Sequence, residues 1–150
     1  MSQLERVTAV ATRLRAAIER AQQADAEIEW LSRFPKKCCN FTSNLLVCEL
    51  HELGIAPVRR LIGVVDEEQD LRHVWVEADG ITVDITADCH GQPAVVVAED
   101  SPWHADLEDV GPFLPRADLE TGLVEDQIDR LKTLYQDARQ TLTAFFDGTP

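Results

Sequence analysis

The dipeptide Asp79-Gly80 stands between two runs of alternating character, Arg72 to Ala78 and Ile81 to Thr86, and it constrains this chain more than any other feature. An Asp-Gly pair supplies the positive φ that a tight two-residue connection requires, so the two runs are antiparallel strands of one hairpin. The turn sets the register: Ala78 faces Ile81, Val76 faces Val83 and Val74 faces Ile85. That face is wholly apolar and belongs to the core. The opposite face carries His73, Trp75 and Glu77 on one strand, and Thr82, Asp84 and Thr86 on the other. Asp84 lies across from Trp75 and is the diagonal neighbour of His73, roughly 7–8 Å away between backbones and within reach of a side-chain hydrogen bond. A carboxylate there fixes the imidazole tautomer and favours its protonated form.

The hairpin sits inside a longer pattern. Ser2 and Glu5 form a capping box, and Leu4, Val7, Ala11, Leu14, Ile18 and Ala21 then recur every three or four residues, which predicts an amphipathic helix running to about Trp30. Ser32 to Cys39 contains Phe34-Pro35-Lys36-Lys37 and reads as a loop. A second helix starts near Asn40, with Phe41, Leu45, Leu46, Cys48 and Leu53 along it, and closes at Gly54 with Pro57 beyond. Strands are predicted over Val58 to Val65, over both arms of the hairpin and over Ala94 to Ala98, followed by a loop from Glu99 to Asp118. The spacing of Val124, Ile128, Leu131, Tyr135, Ala138, Leu142 and Phe145 predicts one long final helix, with Gly148 as its stop. This order predicts an α+β fold, an antiparallel sheet packed on helices, in a single domain spanning residues 1 to 150.

Composition narrows the function. Fourteen basic against 27 acidic side chains leave a net charge of −13, which repels phosphate backbones and anionic lipid, so neither nucleic acid nor a membrane is expected as a partner. No stretch approaches the roughly 18 apolar residues of a spanning helix, and the N-terminus has no secretory pattern. A cytoplasmic location is expected. There thiols stay reduced, so Cys38, Cys39, Cys48 and Cys89 are thiols and not a disulfide framework. A zinc site would draw on these cysteines with His73, His90 and His104. The paired spacing of a structural site is missing, so no metal and no cofactor is expected.

Cys39, at the start of the second predicted helix, sits where unpaired backbone N–H groups and the helix dipole favour a thiolate, and an adjacent imidazolium favours it further. With His73 and Asp84 it completes a nucleophile, a general base and the group that orients the base. Its own amide is one candidate donor to an oxyanion, and a second is not evident.

The stretches Cys39-Asn40-Phe41-Thr42-Ser43-Asn44-Leu45-Leu46, Leu53-Gly54-Ile55, Leu61-Ile62-Gly63-Val64, His73-Val74-Trp75-Val76-Glu77 and Val83-Asp84-Ile85-Thr86 resemble the core of the transglutaminase-like branch of the papain-like cysteine enzymes. The resemblance covers about Pro35 to Asp88, a third of the chain, and the long flanking helices do not carry it. It implies a papain-like or transglutaminase-like core with Cys39 as nucleophile, His73 as base and Asp84 as orienter. Two departures stand out. Cys38 precedes Cys39 and Asn40 follows it, where the family commonly has a small residue, so Cys38 is the rival nucleophile. The upstream Gln or aromatic donor that many papain-like enzymes use is not found.

The remaining residues divide as follows. Cys48 is assigned to the core, Cys89 to structure, and Asp88 is a rival to Asp84 that lies beyond the strand alternation. Glu77 shares the polar face nearer solvent. Trp75 either walls the pocket or packs on the sheet, and Trp103-His104, after Ser101-Pro102, shapes a substrate groove; Trp75 and Trp103 are the candidate substrate-binding residues. His51, His90 and His104 are assigned to surface or loop positions.

The function expected is a cysteine-nucleophile hydrolase or acyltransferase, of peptidase, deamidase or transglutaminase type, acting on an amide or thioester carbonyl through an acyl-enzyme. Amide hydrolysis is preferred. Its substrate would be a neutral or basic protein or peptide. The alternatives are a non-catalytic binding or immunity-type module on the same scaffold, with a vestigial triad, and metal-dependent chemistry at Cys39, His73 and Cys89.

Overall fold

A computed structural model describes residues 1–108, 122–123 and 127–146. Helix α1 spans Gln3–Gln23 and α2 spans Cys39–Glu52; strands β1 (Val58–Asp66), β2 (Leu71–Ala78), β3 (Ile81–Asp84) and β4 (Val96–Ala98) follow, then α3 (Pro102–Glu108), β5 (Gly122–Leu123), α4 (Ile128–Leu134) and α5 (Gln136–Thr143). The strands form one antiparallel sheet in the order β4-β3-β2-β1-β5. The class is α+β, as expected.

The hairpin turns as its sequence dictates. Asp79 and Gly80 both hold positive φ, at 51° and 81°, and Ala78 pairs with Ile81, Glu77 with Thr82 and Val76 with Val83. The ladder stops earlier than the expected Thr86. Asp84 Oδ1 accepts from Thr86 N at 2.9 Å, so the carboxylate takes a backbone donor that could have continued the strand, and the chain enters a 3₁₀ turn over Ala87–His90.

Val76, Ala78, Val83 and Ile85 face the main core, where α1 contributes Val7, Ala11, Leu14, Ile18 and Ala21 and α2 contributes Leu45, Leu46, Cys48 and Leu50. Each large apolar side chain removed from water there contributes roughly 1.5–3 kcal/mol before chain entropy is charged against it. The opposite sheet face, which carries His73, Trp75 and Glu77, is covered as well. Helix α3 lies on it and buries Leu107 against Leu61 and Trp75.

Three helix predictions need correction. Helix α1 ends at Gln23 and not near Trp30, because Asp25 adopts a left-handed conformation (φ 54°) that no helix continues through, although Ala26 and Ile28 prolong the apolar rhythm. The long final helix is two short ones, broken at Tyr135 (φ −103°, ψ 11°), whose hydroxyl accepts a 2.8 Å bond from Asn44 Nδ2. Val124 and Gly148 of that prediction lie outside the described residues. The loop predicted from Glu99 to Asp118 contains α3: Ser101 O takes the first helical bond from Ala105 N at 3.0 Å, and Pro102 occupies the first helical position, where a missing N–H costs nothing.

Arg15 ties α1 to the turn after β3. Its guanidinium donates to Ile85 O at 2.8 Å and to both oxygens of Asp88 at 2.9 and 2.8 Å, and it lies 4.6 Å over the Phe34 ring. No helix among the described residues is long and apolar enough to cross a membrane.

Candidate active site

Cys39 is the first residue of α2, with Cys38 at the cap. The first helical bond runs from Thr42 N to Cys38 O at 2.9 Å, so the N–H groups of residues 39 to 41 have no acceptor inside the helix. That is the electropositive setting expected for a thiolate and for a developing oxyanion. Ser43 Oγ donates to Val74 O at 3.2 Å and fastens the first turns of α2 to β2, one residue from His73.

His73 and Asp84 are both buried, and His73 Nε2 lies 2.6 Å from Asp84 Oδ2. The hairpin register thus joins these two side chains as the sequence implied. Asp84 has further partners. Thr86 donates to Oδ1 from its backbone at 2.9 Å and from its hydroxyl at 3.4 Å, and His104 Nε2 lies 2.7 Å from Oδ2. Burial alone would raise the Asp84 pKa, but the bonds from His104 and His73 outweigh it and hold the carboxyl well below its usual range. An ionised carboxylate only accepts, so both Nε2 atoms carry protons. Neutral His73 is therefore left with a lone pair on Nδ1.

That Nδ1 is buried and has no partner in hydrogen-bonding geometry. The Cys39 thiol interacts with the same ring. Burial disfavours the imidazolium, but the Asp84 bond and the neighbouring Cys39 together push the His73 pKa up to about 9. The structure brings all three expected residues together. The rival nucleophile Cys38 is fully buried, and burial pushes its thiol up to about 12, whereas Cys39 is half-buried. Cys48 lies in the core with its thiol raised by burial to about 11. Cys89 donates to Thr86 O at 2.9 Å and is likewise raised by burial to about 11, with Cys39 adding to the effect.

The other residues singled out in the sequence are placed as follows by their packing. Asp88 pairs with Arg15, and Glu77 with Arg59 at 2.9 Å, so neither competes for His73. Trp75 is 1% exposed and packs against His104 at 5.0 Å between ring centroids, and it also lines a small cavity with Leu61, Glu77 and Ser101. Trp103 is half-buried and stands edge-on to His73 at 5.8 Å, where it can flank a bound group. His104 and His90, assigned to the surface, belong to the site: His104 is buried on Asp84, and the half-buried His90 ring meets His73 edge-on at 4.8 Å. His51 is exposed near the end of α2.

Sequence reasoning missed His104 because nothing local links it to Asp84, twenty residues earlier. The available signal was Ser101-Pro102, a cap and first-position pair announcing a short helix that carries His104 and Leu107 on one face.

Among the described residues, two donor sets have ligand atoms within 4.8 Å of one another: His73, Asp84 and His104, and His73, Cys89 and His90. In the first, the N–O separations of 2.6 and 2.7 Å are direct hydrogen bonds, shorter than the roughly 3.3 Å between ligands of a tetrahedral ion with 2.0 Å bonds. The second has the mixed nitrogen and sulfur chemistry that suits a thiophilic ion. No protein-family model, curated protein or solved structure matches the chain.

Proposed function

We propose that the chain is a cysteine-nucleophile enzyme on a papain-like, transglutaminase-like core, acting on an amide or thioester carbonyl through an acyl-enzyme. The observation that carries this reading is the buried 2.6 Å bond from His73 Nε2 to Asp84, which leaves the Nδ1 lone pair as the base for Cys39 at the head of α2.

In the proposed reaction His73 Nδ1 takes the Cys39 proton, and the sulfur attacks the carbonyl carbon. The tetrahedral oxyanion is met by the free N–H groups at the start of α2. Collapse breaks the C–N bond, His73 returns its proton to the departing amine, and a thioester remains. Water, or a second amine, gives its proton to His73 as it attacks; the C–S bond breaks and the thiol is restored. Positioned proton transfer of this kind contributes about 10²–10⁴ in rate. Water as acceptor makes an amide hydrolase, which we favour; an amine makes a transferase. A net charge of −13 suits a neutral or basic protein or peptide as substrate, in a reducing compartment such as the cytoplasm.

Mass-spectrometric mapping of an acyl or thiol-directed inhibitor adduct tests the reading. The adduct is expected on Cys39 and lost in His73→Ala. Equal, slow labelling of all four thiols would make the chain a non-catalytic binding module instead.

A further inference from the structure

Asp84 Oδ2 meets a second imidazole besides the one it orients. Thr86 already occupies Oδ1 and His73 occupies Oδ2, yet α3 delivers His104 Nε2 to the same Oδ2 at 2.7 Å, and Ser101 Oγ lies 2.6 Å from His104 Nδ1. We infer that His104 is a positioning residue: its Nε2–H fixes Asp84 Oδ2, so that His73 keeps the tautomer whose Nδ1 serves Cys39. The inference rests on the cysteine-nucleophile reading and extends it.

The bonding pattern carries the argument. Because the carboxylate can only accept, His104 must donate from Nε2, which in the neutral ring leaves Nδ1 as an acceptor for the Ser101 hydroxyl. Ser101 thereby holds one nitrogen of the His104 ring while the other meets Asp84 Oδ2, so the imidazole is fixed at both ends. Trp75 and Trp103 pack on the His104 ring at 5.0 and 4.8 Å between centroids, and Asp84 itself is buried. Without that donor Oδ2 is held by His73 alone, and a carboxylate that turns about its Thr86 bonds releases His73 to the other tautomer, whose Nδ1–H cannot accept the thiol proton.

Two measurements on the full chain test this. In ¹⁵N-histidine-labelled protein, proton NMR is expected to show two strongly low-field imidazole N–H signals on Nε2 atoms, one of which disappears in His104→Leu; a single such signal in the unmodified protein overturns the inference. In iodoacetamide kinetics, His104→Leu, which keeps bulk and loses the donor, is expected to slow Cys39 labelling roughly 10- to 100-fold, as for loss of a hydrogen bond to a charged group, and to change its pH profile. His104→Gln, which restores an N–H, is expected to recover most of the rate. A wild-type rate and profile in His104→Leu, or a Gln variant as slow as the Leu variant, overturns it. Should the Leu variant fail to fold, the NMR signals of the unmodified protein and the His104→Gln rate decide between the same two results. Failure of the underlying reading looks different: Cys39 in the unmodified protein then labels no faster than Cys48, while both NMR signals persist.

Discussion

A methyl group placed on Gly63 would lie 2.6 Å from the Cβ of Leu107, closer than two such atoms can stand. Gly63 is the cross-strand partner of His73, so the bare backbone at this position is what lets α3 sit low enough for His104 to reach Asp84. Gly63→Ala is therefore expected to lift α3, to lower stability by about 1–3 kcal/mol as overpacking does, and to slow labelling of Cys39. Urea denaturation and iodoacetamide kinetics check this, and an alanine variant unchanged in both would show that the approach of α3 is set elsewhere.

The four thiols are expected to label in a definite order. Cys39 is first, because it is half-buried at the head of α2 beside His73, where the other thiols are not. Cys89 and Cys48 follow slowly, their thiols raised to about 11, and Cys38, enclosed and raised to about 12, is last. Peptide mapping after timed quenching gives the order. His73→Ala is expected to bring Cys39 down to the pace of the others.

Stability carries the signature of the same pair. The folded His73 pKa lies above its ordinary 6.5, so its contribution is complete below about 6.5 and fades as pH rises through about 9. The folded Asp84 pKa is depressed, so its contribution is complete above about 4 and fades as pH falls below that. Both are whole between about pH 4 and 6.5. The deficit of Asp84→Asn relative to the unmodified protein is accordingly expected to be larger at pH 5.5 than at pH 9.5, read from denaturation midpoints, and a deficit that grew with pH would contradict the assignment.

Arg15→Met is expected to cost roughly 3 kcal/mol, the low end for removing one member of a buried pair, since Asp88 keeps partial contact with water. Adding Asp88→Asn should restore part of the loss by removing the stranded charge. A thermodynamic cycle over the two single variants and the double variant measures the coupling, and additive losses would mean that the two groups act independently.

What the sequence disclosed is what short-range chemistry determines. Asp79-Gly80 and the alternation around it gave the register through Val76 and Val83, and that register alone brought His73 to Asp84. Cys39 was legible because the rhythm of Leu45, Leu46 and Cys48 leads back to a helix start. The end of α1 was not legible, since Ala26 and Ile28 prolong the apolar spacing past a left-handed Asp25. Seven residues of α3 are too few for a periodic signal, so His104 stayed hidden. The break at Tyr135 comes from a contact with Asn44, a residue 91 positions away.

The guanidinium of Arg15 closes on the Ile85 carbonyl and the Asp88 carboxylate, directly after the strand that ends in Asp84. The stretch from Pro35 to Asp88 that carries the resemblance is thus not a self-standing unit. A fragment trimmed to those borders would expose the apolar floor on which the hairpin rests and leave an acidic turn with no counter-ion. The opening helix is foundation to the candidate site through Arg15, and any attempt to transplant that site to another scaffold has to bring the helix along.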